Sequence, residues 1–120
     1  MDNISKHILA KAIKKIDSAN EELMKPQDAI VSYAVCNNSK LAIKLLLESY
    51  LIKNNFPIDK NESLALLLER CILIDTKFKL VDLSKIDCRH NVNNNSYCSG
   101  VEKVSACYDT AKEIELLIKN

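Results

Sequence analysis

One glycine, Gly100, and two prolines, Pro26 and Pro57, interrupt 120 residues, and this scarcity of breakers constrains the fold more than any motif does. A sheet protein draws on glycine and proline for its turns and on β-branched and aromatic residues for its strands. Here aromatics make up only 5% of the chain, and the unbroken stretches are supplied by Leu, Ile, Ala, Lys and Glu, most of them good helix formers. The reading is all-α. A chain of this length buries a core without disulfides and is short for two domains, so residues 1–120 are read as one helical domain.

Hydrophobic spacing divides that domain into four helices. Ile4, Ile8, Ala12, Ile16, Ala19 and Leu23 recur at steps of three and four and define an amphipathic first helix, broken at Met24 to Pro26. From Gln27 to about Asn55 no glycine or proline intervenes, and Ile30, Tyr33, Ala34, Leu41, Leu45 and Ile52 predict a second helix that is the longest of the four. Its middle, Cys36-Asn37-Asn38-Ser39-Lys40, is polar where a bundle helix should be driest, so those side chains either meet solvent or line something. Asn54-Asn55-Phe56-Pro57 closes it. Asp59 and Glu62 have capping-box spacing ahead of a third helix that points Leu64, Leu67, Leu68, Cys71 and Ile72 inward. Residues 76 to 87 read as an irregular connection with a short turn around Leu80 to Ile86. Val101, Val104, Tyr108, Ala111, Ile114 and Ile118 mark the last helix. Four such stripes joined by mostly short connections specify an antiparallel up-and-down bundle.

The charges restrict partners. Seventeen basic residues face 16 acidic ones, a net charge of +1, which argues against a protein held on nucleic acid by bulk electrostatics and leaves room for a local site. No apolar run approaches the ~18 residues of a membrane span, and Met1-Asp2-Asn3-Ile4-Ser5-Lys6-His7 leads into an amphipathic repeat instead of an apolar leader. With five scattered cysteines, an odd number, the expectation is a cytoplasmic protein with free thiols, no membrane partner and no cofactor.

The polar stretch Asp87 to Gly100 carries Cys88, Arg89, His90, Tyr97 and Cys98 and is the first place to look for chemistry. Cys88, His90, Cys98 and Cys107 offer zinc-type ligands, but their spacing lacks the tight C-x2-C knuckle, so no metal is assigned. Cys88 with His90 carries no nucleophile motif. One glycine permits neither a P-loop nor a dinucleotide fingerprint. Arg89 amid amide side chains suits phosphate and RNA contacts. The plainer reading is a bundle-end ion pair with asparagines serving as caps.

The order of elements resembles the HEPN domain family. Leu41-Ala42-Ile43-Lys44-Leu45-Leu46-Leu47-Glu48-Ser49-Tyr50, then Asn55-Phe56-Pro57-Ile58, then Leu64-Ala65-Leu66-Leu67-Leu68-Glu69 follow that family's long second helix, turn and leucine-rich third helix. Arg89 and the helix Val101 to Ile118 follow its arginine-bearing connection and last helix. The resemblance covers about residues 4 to 119 and rests on pattern more than on invariant letters. It implies a HEPN-like homodimer. Ribonucleases of the family carry R-x4-6-H, in which histidine activates the attacking hydroxyl and arginine stabilises the phosphorane. Here Asn94, Asn95 and Ser96 occupy the histidine places and His90 adjoins Arg89, so the expected role is non-catalytic. Members paired with nucleotidyltransferases also lack the full motif, which implies such a partner in a toxin-antitoxin-type or nucleotide- or RNA-related system. The binding residues expected on this view are Arg89, His90, Asn95 and Tyr97 with Asn37, Lys40 and Lys44 of the second helix. Lys40 stands where the family often has an acidic residue. The alternatives are a metal-independent endoribonuclease using Arg89 and His90, and a purely structural interaction domain.

Overall fold

The computed structural model describes residues 2–59, 61–83 and 101–119, with all their side chains except those of residues 2 and 101–103. Helices α1 (Asp2–Leu23), α2 (Ser32–Lys53), α3 (Leu64–Ile74) and α4 (Val101–Lys119) are joined by 3₁₀ turns at Gln27–Ala29 and Thr76–Leu80. Among the described residues there is no strand, and no helix long and apolar enough to cross a membrane.

Helix α2 begins five residues later than the breaker pattern predicts, and it equals α1 at 22 residues instead of exceeding it. Pro26 is extended at ψ 143°, a single 3₁₀ turn follows, and Ile30 and Val31 are extended again. The Glu22 carboxylate holds this corner. It accepts the Val31 N–H at 2.9 Å and the Lys25 ammonium at 3.0 Å, so the end of α1 satisfies an amide at the start of α2 that has no partner within its own helix. At its other end α2 closes in a Schellman motif, with Phe56 N–H donating to the Leu51 carbonyl at 2.9 Å and Asn55 N–H to Ile52 at 3.0 Å. That motif needs a left-handed residue. Asn55 supplies it at φ 67°, asparagine being the usual substitute for glycine there.

The start of α3 is also displaced. Asp59 N–H does donate to Glu62 Oε1 at 2.9 Å, half of the expected capping box, but the Asp59 carboxylate accepts from Asn61 N–H instead. The segment is therefore a turn. Ser63 is the working cap, accepting Leu66 N–H at 3.2 Å, and Arg70 braces the turn by donating to both Glu62 and the Pro57 carbonyl. The later connection carries a 3₁₀ turn at Thr76–Leu80, which puts Phe78 fully into the core against Tyr50, ring centroids 4.7 Å apart; the turn expected around Leu80 to Ile86 lies partly outside the described residues.

Helix α2 is the spine, packed against α1, α3 and α4. From Leu46 to Ser49 four successive residues are buried, and Leu51 after them. Burial of consecutive positions on a 3.6-residue helix requires neighbours on every side. Ala12, Ile16 and Ala19 of α1, Leu67, Leu68 and Cys71 of α3, and Val104, Cys107, Ala111 and Ile114 of α4 provide them. Each fully buried Leu or Ile contributes about 1.5–3 kcal/mol relative to exposure. The predicted stripes need correcting in two places. Ile4 is 56% exposed, and in α2 Tyr33 and Leu41 are 57% and 37% exposed. The true inner face of α2 instead runs through Val35, Cys36, Ser39, Ala42 and Ile43.

The topology also departs from strict up-and-down order. Helices α1 and α2 are antiparallel, since Ser5 to Leu9 border the same cavity as Ser49 to Lys53 while Glu22 meets Val31. Helix α3 is not antiparallel to α2. Leu64 shares a groove with Lys40 and Leu41, the Cys71 thiol donates to the Leu47 carbonyl at 3.8 Å, and Phe78 reaches Tyr50, so contact advances along both segments in the same sense. Residues 54–63, able to span about 33 Å when extended, allow this return along α2. Helix α4 ends beside the C-terminal end of α2, where Ile118 and Lys119 face Tyr50 and Lys53 across one cavity.

Two stability results follow. Ser39 is fully buried, and its hydroxyl has no hydrogen-bond partner among the described residues. Ser39→Ala should therefore stabilise the fold by roughly 0.5–1 kcal/mol, through better helix propensity and loss of an unsatisfied group. Leu46→Ala, a few residues along the same face, should cost about 2–5 kcal/mol. Urea unfolding checks both, and a destabilised Ser39→Ala would contradict this packing.

Acid sensitivity is the second. Arg70 holds the Glu62 carboxyl below the usual carboxylate range, and the Val31 amide followed by Lys25 does so for Glu22. Burial pushes the Glu115 carboxyl upward, but its bonds to Lys119 and Lys112 together outweigh that and leave it lowered. Lowered carboxyls contribute stability that is fully present above the ordinary value of about 4.3 and is lost as pH falls through the folded values. The melting temperature should hold above about pH 5 and fall below it. Glu62→Gln should lower the plateau by a few degrees and flatten the decline, and an unchanged acid limb in that variant would refute the assignment.

Candidate functional site

The N-terminal half of α2 is covered less completely than the C-terminal half, and the uncovered face carries the chemistry. At 100° per residue, Tyr33, Asn37, Lys40, Leu41 and Lys44 fall within an arc of about 100° opposite the core. With Cys36 on one edge and Leu64 of α3 closing one end, they line an open groove of about 310 Å³. Asn37 is exposed, and Lys40 and Lys44 are half-buried. Their stems thus lie along protein, as snorkelling lysines do. Among the described residues no acidic side chain lines the groove.

The structure thus brings together three of the residues expected from sequence, Asn37, Lys40 and Lys44. Tyr33, Leu41 and Leu64 join them although the hydrophobic pattern assigns them to the core. The spacing 33, 37, 40, 41, 44 was the available signal, since it is one helix face whether its residues are apolar or cationic. Arg89, His90, Asn95 and Tyr97 lie outside the described residues, as do Cys88 and Cys98. Cys107 of the candidate zinc set is buried on α4's inner face, Cys36 and Cys71 are buried as well, and none of the three is in a disulfide. Burial pushes the Cys71 thiol up to about 12, far from the range in which a thiolate attacks or ligates at neutral pH. Among the described residues no three His, Cys, Asp or Glu side chains cluster as metal ligands.

This arrangement can bind an extended anion. Two ammonium groups one helical turn apart offer charge, Asn37 offers an amide donor and acceptor, and Tyr33 offers an exposed ring on which a base can stack. Among the groove's described lining residues there is no histidine, the side chain that ordinarily titrates near neutrality and serves in proton transfer.

Compared with protein-family models, with curated proteins and with solved structures, the chain has no match.

Proposed function

We propose that this chain is a HEPN-like binding module, dimeric and partnered by a nucleotidyltransferase, whose α2 groove holds RNA or a nucleotide without cleaving it. The observation that carries the reading is the convergence of Lys40, Lys44, Asn37 and Tyr33 on one groove, with no carboxylate among the described residues of its lining. An all-helical fold built on a long second helix is compatible with it. The groove is open and partly apolar at Tyr33, Leu41 and Leu64, the character expected of a cleft between two protomers. Net charge near zero restricts nucleic-acid contact to such a local face.

The test is fluorescence anisotropy with a labelled single-stranded RNA at several salt concentrations, with Lys40→Ala/Lys44→Ala as the variant. Each lysine that neutralises a phosphate contributes about 0.7 to the slope of log affinity against log salt on a single strand. The double variant should reduce that slope by about 1.4 and weaken binding at least tenfold, with the melting temperature nearly unchanged. Equal binding and slope in both proteins would refute the groove assignment. Incubated with excess chelator, the wild type should leave the RNA intact. Cleavage lost in both Arg89→Ala and His90→Ala would favour the endoribonuclease reading instead.

A further inference from the structure

A second cavity lies at the other end of the spine, where α1, α2 and α4 meet. About 260 Å³ in volume, it is lined by one lysine from each helix, Lys6, Lys53 and Lys119, together with Ser5, Ser49 and Tyr50. The three lysines are exposed at the rim and both serines are buried beneath it. We propose that this cavity is a binding site for a small phosphomonoester, distinct from the α2 groove.

Charge is the first argument. Among the described residues no carboxylate lines the cavity. The Lys119 ammonium is held at 2.7 Å by Glu115, which Lys112 shares, while Lys6 and Lys53 form no ion pair among the described residues. Lys53 and Lys119 sit in the last turns of α2 and α4, where a cation complements the helix dipole. That explanation does not apply to Lys6, the fifth residue of α1, which lies beyond the turn over which a helix terminus acts. Its charge is thus added to an already positive rim, and a doubly charged anion offsets it best.

Shape and lining select the class further. Leu9 and Ile118 form apolar wall beside Tyr50, so the occupant carries an organic portion as well as a phosphate. The Ser49 hydroxyl donates to the Leu46 carbonyl at 2.8 Å, so its proton is committed to the backbone and the lysines at the rim supply the donors to the phosphate. The volume falls just under the ~300 Å³ at which drug-sized pockets begin, which suits a phosphomonoester with a small apolar group and excludes a dinucleotide. Lysines are suited to this as point charges free to pivot onto phosphate oxygens.

The test is a two-dimensional amide NMR titration of the full chain with phenyl phosphate, inorganic phosphate and phenol as separate probes. Phenyl phosphate should give saturable shifts confined to residues 5–9, 49–53 and 118–119. Inorganic phosphate should bind the same residues at least tenfold more weakly, and phenol should not saturate. Lys6→Ala and Lys53→Ala, both surface changes, should each weaken phenyl phosphate about tenfold, whereas Lys40→Ala/Lys44→Ala should leave it unchanged. That last arm keeps this site's failure distinct from failure of the α2 groove. Shifts that follow every surface lysine without saturating, or affinity unaltered in Lys6→Ala and Lys53→Ala, would overturn the proposal. So would phenol binding as tightly as phenyl phosphate.

Discussion

Everything in this molecule depends on α2 being enclosed on all sides at one end and left partly open at the other. Between Leu46 and Leu51 the helix meets α1, α3, α4 and the Phe78 ring, so its backbone position is fixed by contacts from three directions. A side chain anchored on such an element loses little further freedom when it engages a ligand, whereas a loop residue must be ordered at the moment of binding. The Tyr33–Lys44 face and the Lys53 rim both inherit that rigidity from the same enclosed turns.

Enclosure has a cost in sequence terms, which the chain meets locally at Ser49 and leaves unmet at the Ser39 hydroxyl. Glu48, Ser49 and Ser39 lie buried within a helix that an idealised bundle would make apolar. Ser49 bonds its own backbone at Leu46, a local solution open to any helical serine. The corners use side chains in the same way. Glu22 satisfies the amide of Val31 across the first corner, and Arg70 binds Glu62 and the Pro57 carbonyl across the second. Both corners are therefore set by charged groups reaching across the connection, which ties helix placement to the protonation of a few carboxylates.

The helical class, the break at Met24 to Pro26, the Asn54–Asn55 stop and the inner faces of α1, α3 and α4 were legible from composition and periodicity, with Ile4 the main exception. The face of α2 was not. Its inward side includes Cys36, Ser39, Glu48 and Ser49, while Tyr33 and Leu41 point outward, so apolar letters alone select the wrong stripe when a helix is buried on several sides. The start of α2 was hidden because Val31 is held by Glu22, nine residues earlier, a contact that no local pattern records. The sense of α3 was hidden too, since a ten-residue connection permits either direction and only Cys71 against Leu47 and Phe78 against Tyr50 decide it. Of the candidate binding residues, Asn37, Lys40 and Lys44 were legible as a polar break in a long helix. What that break borders required the position of Leu64.

Native-state hydrogen exchange resolved by residue tests the enclosure of α2 most directly. Amides in elements packed on every side open only with global unfolding, whereas those in elements covered on one side open locally at lower free energy. The account predicts that the amides of Ile43 to Leu51 exchange slowest in the chain, at the free energy of global unfolding. Those of Tyr33 to Lys40 should open at a lower free energy along the same helix. Uniform protection along α2, or slowest exchange in α1 or α4 with α2 opening first, would contradict it.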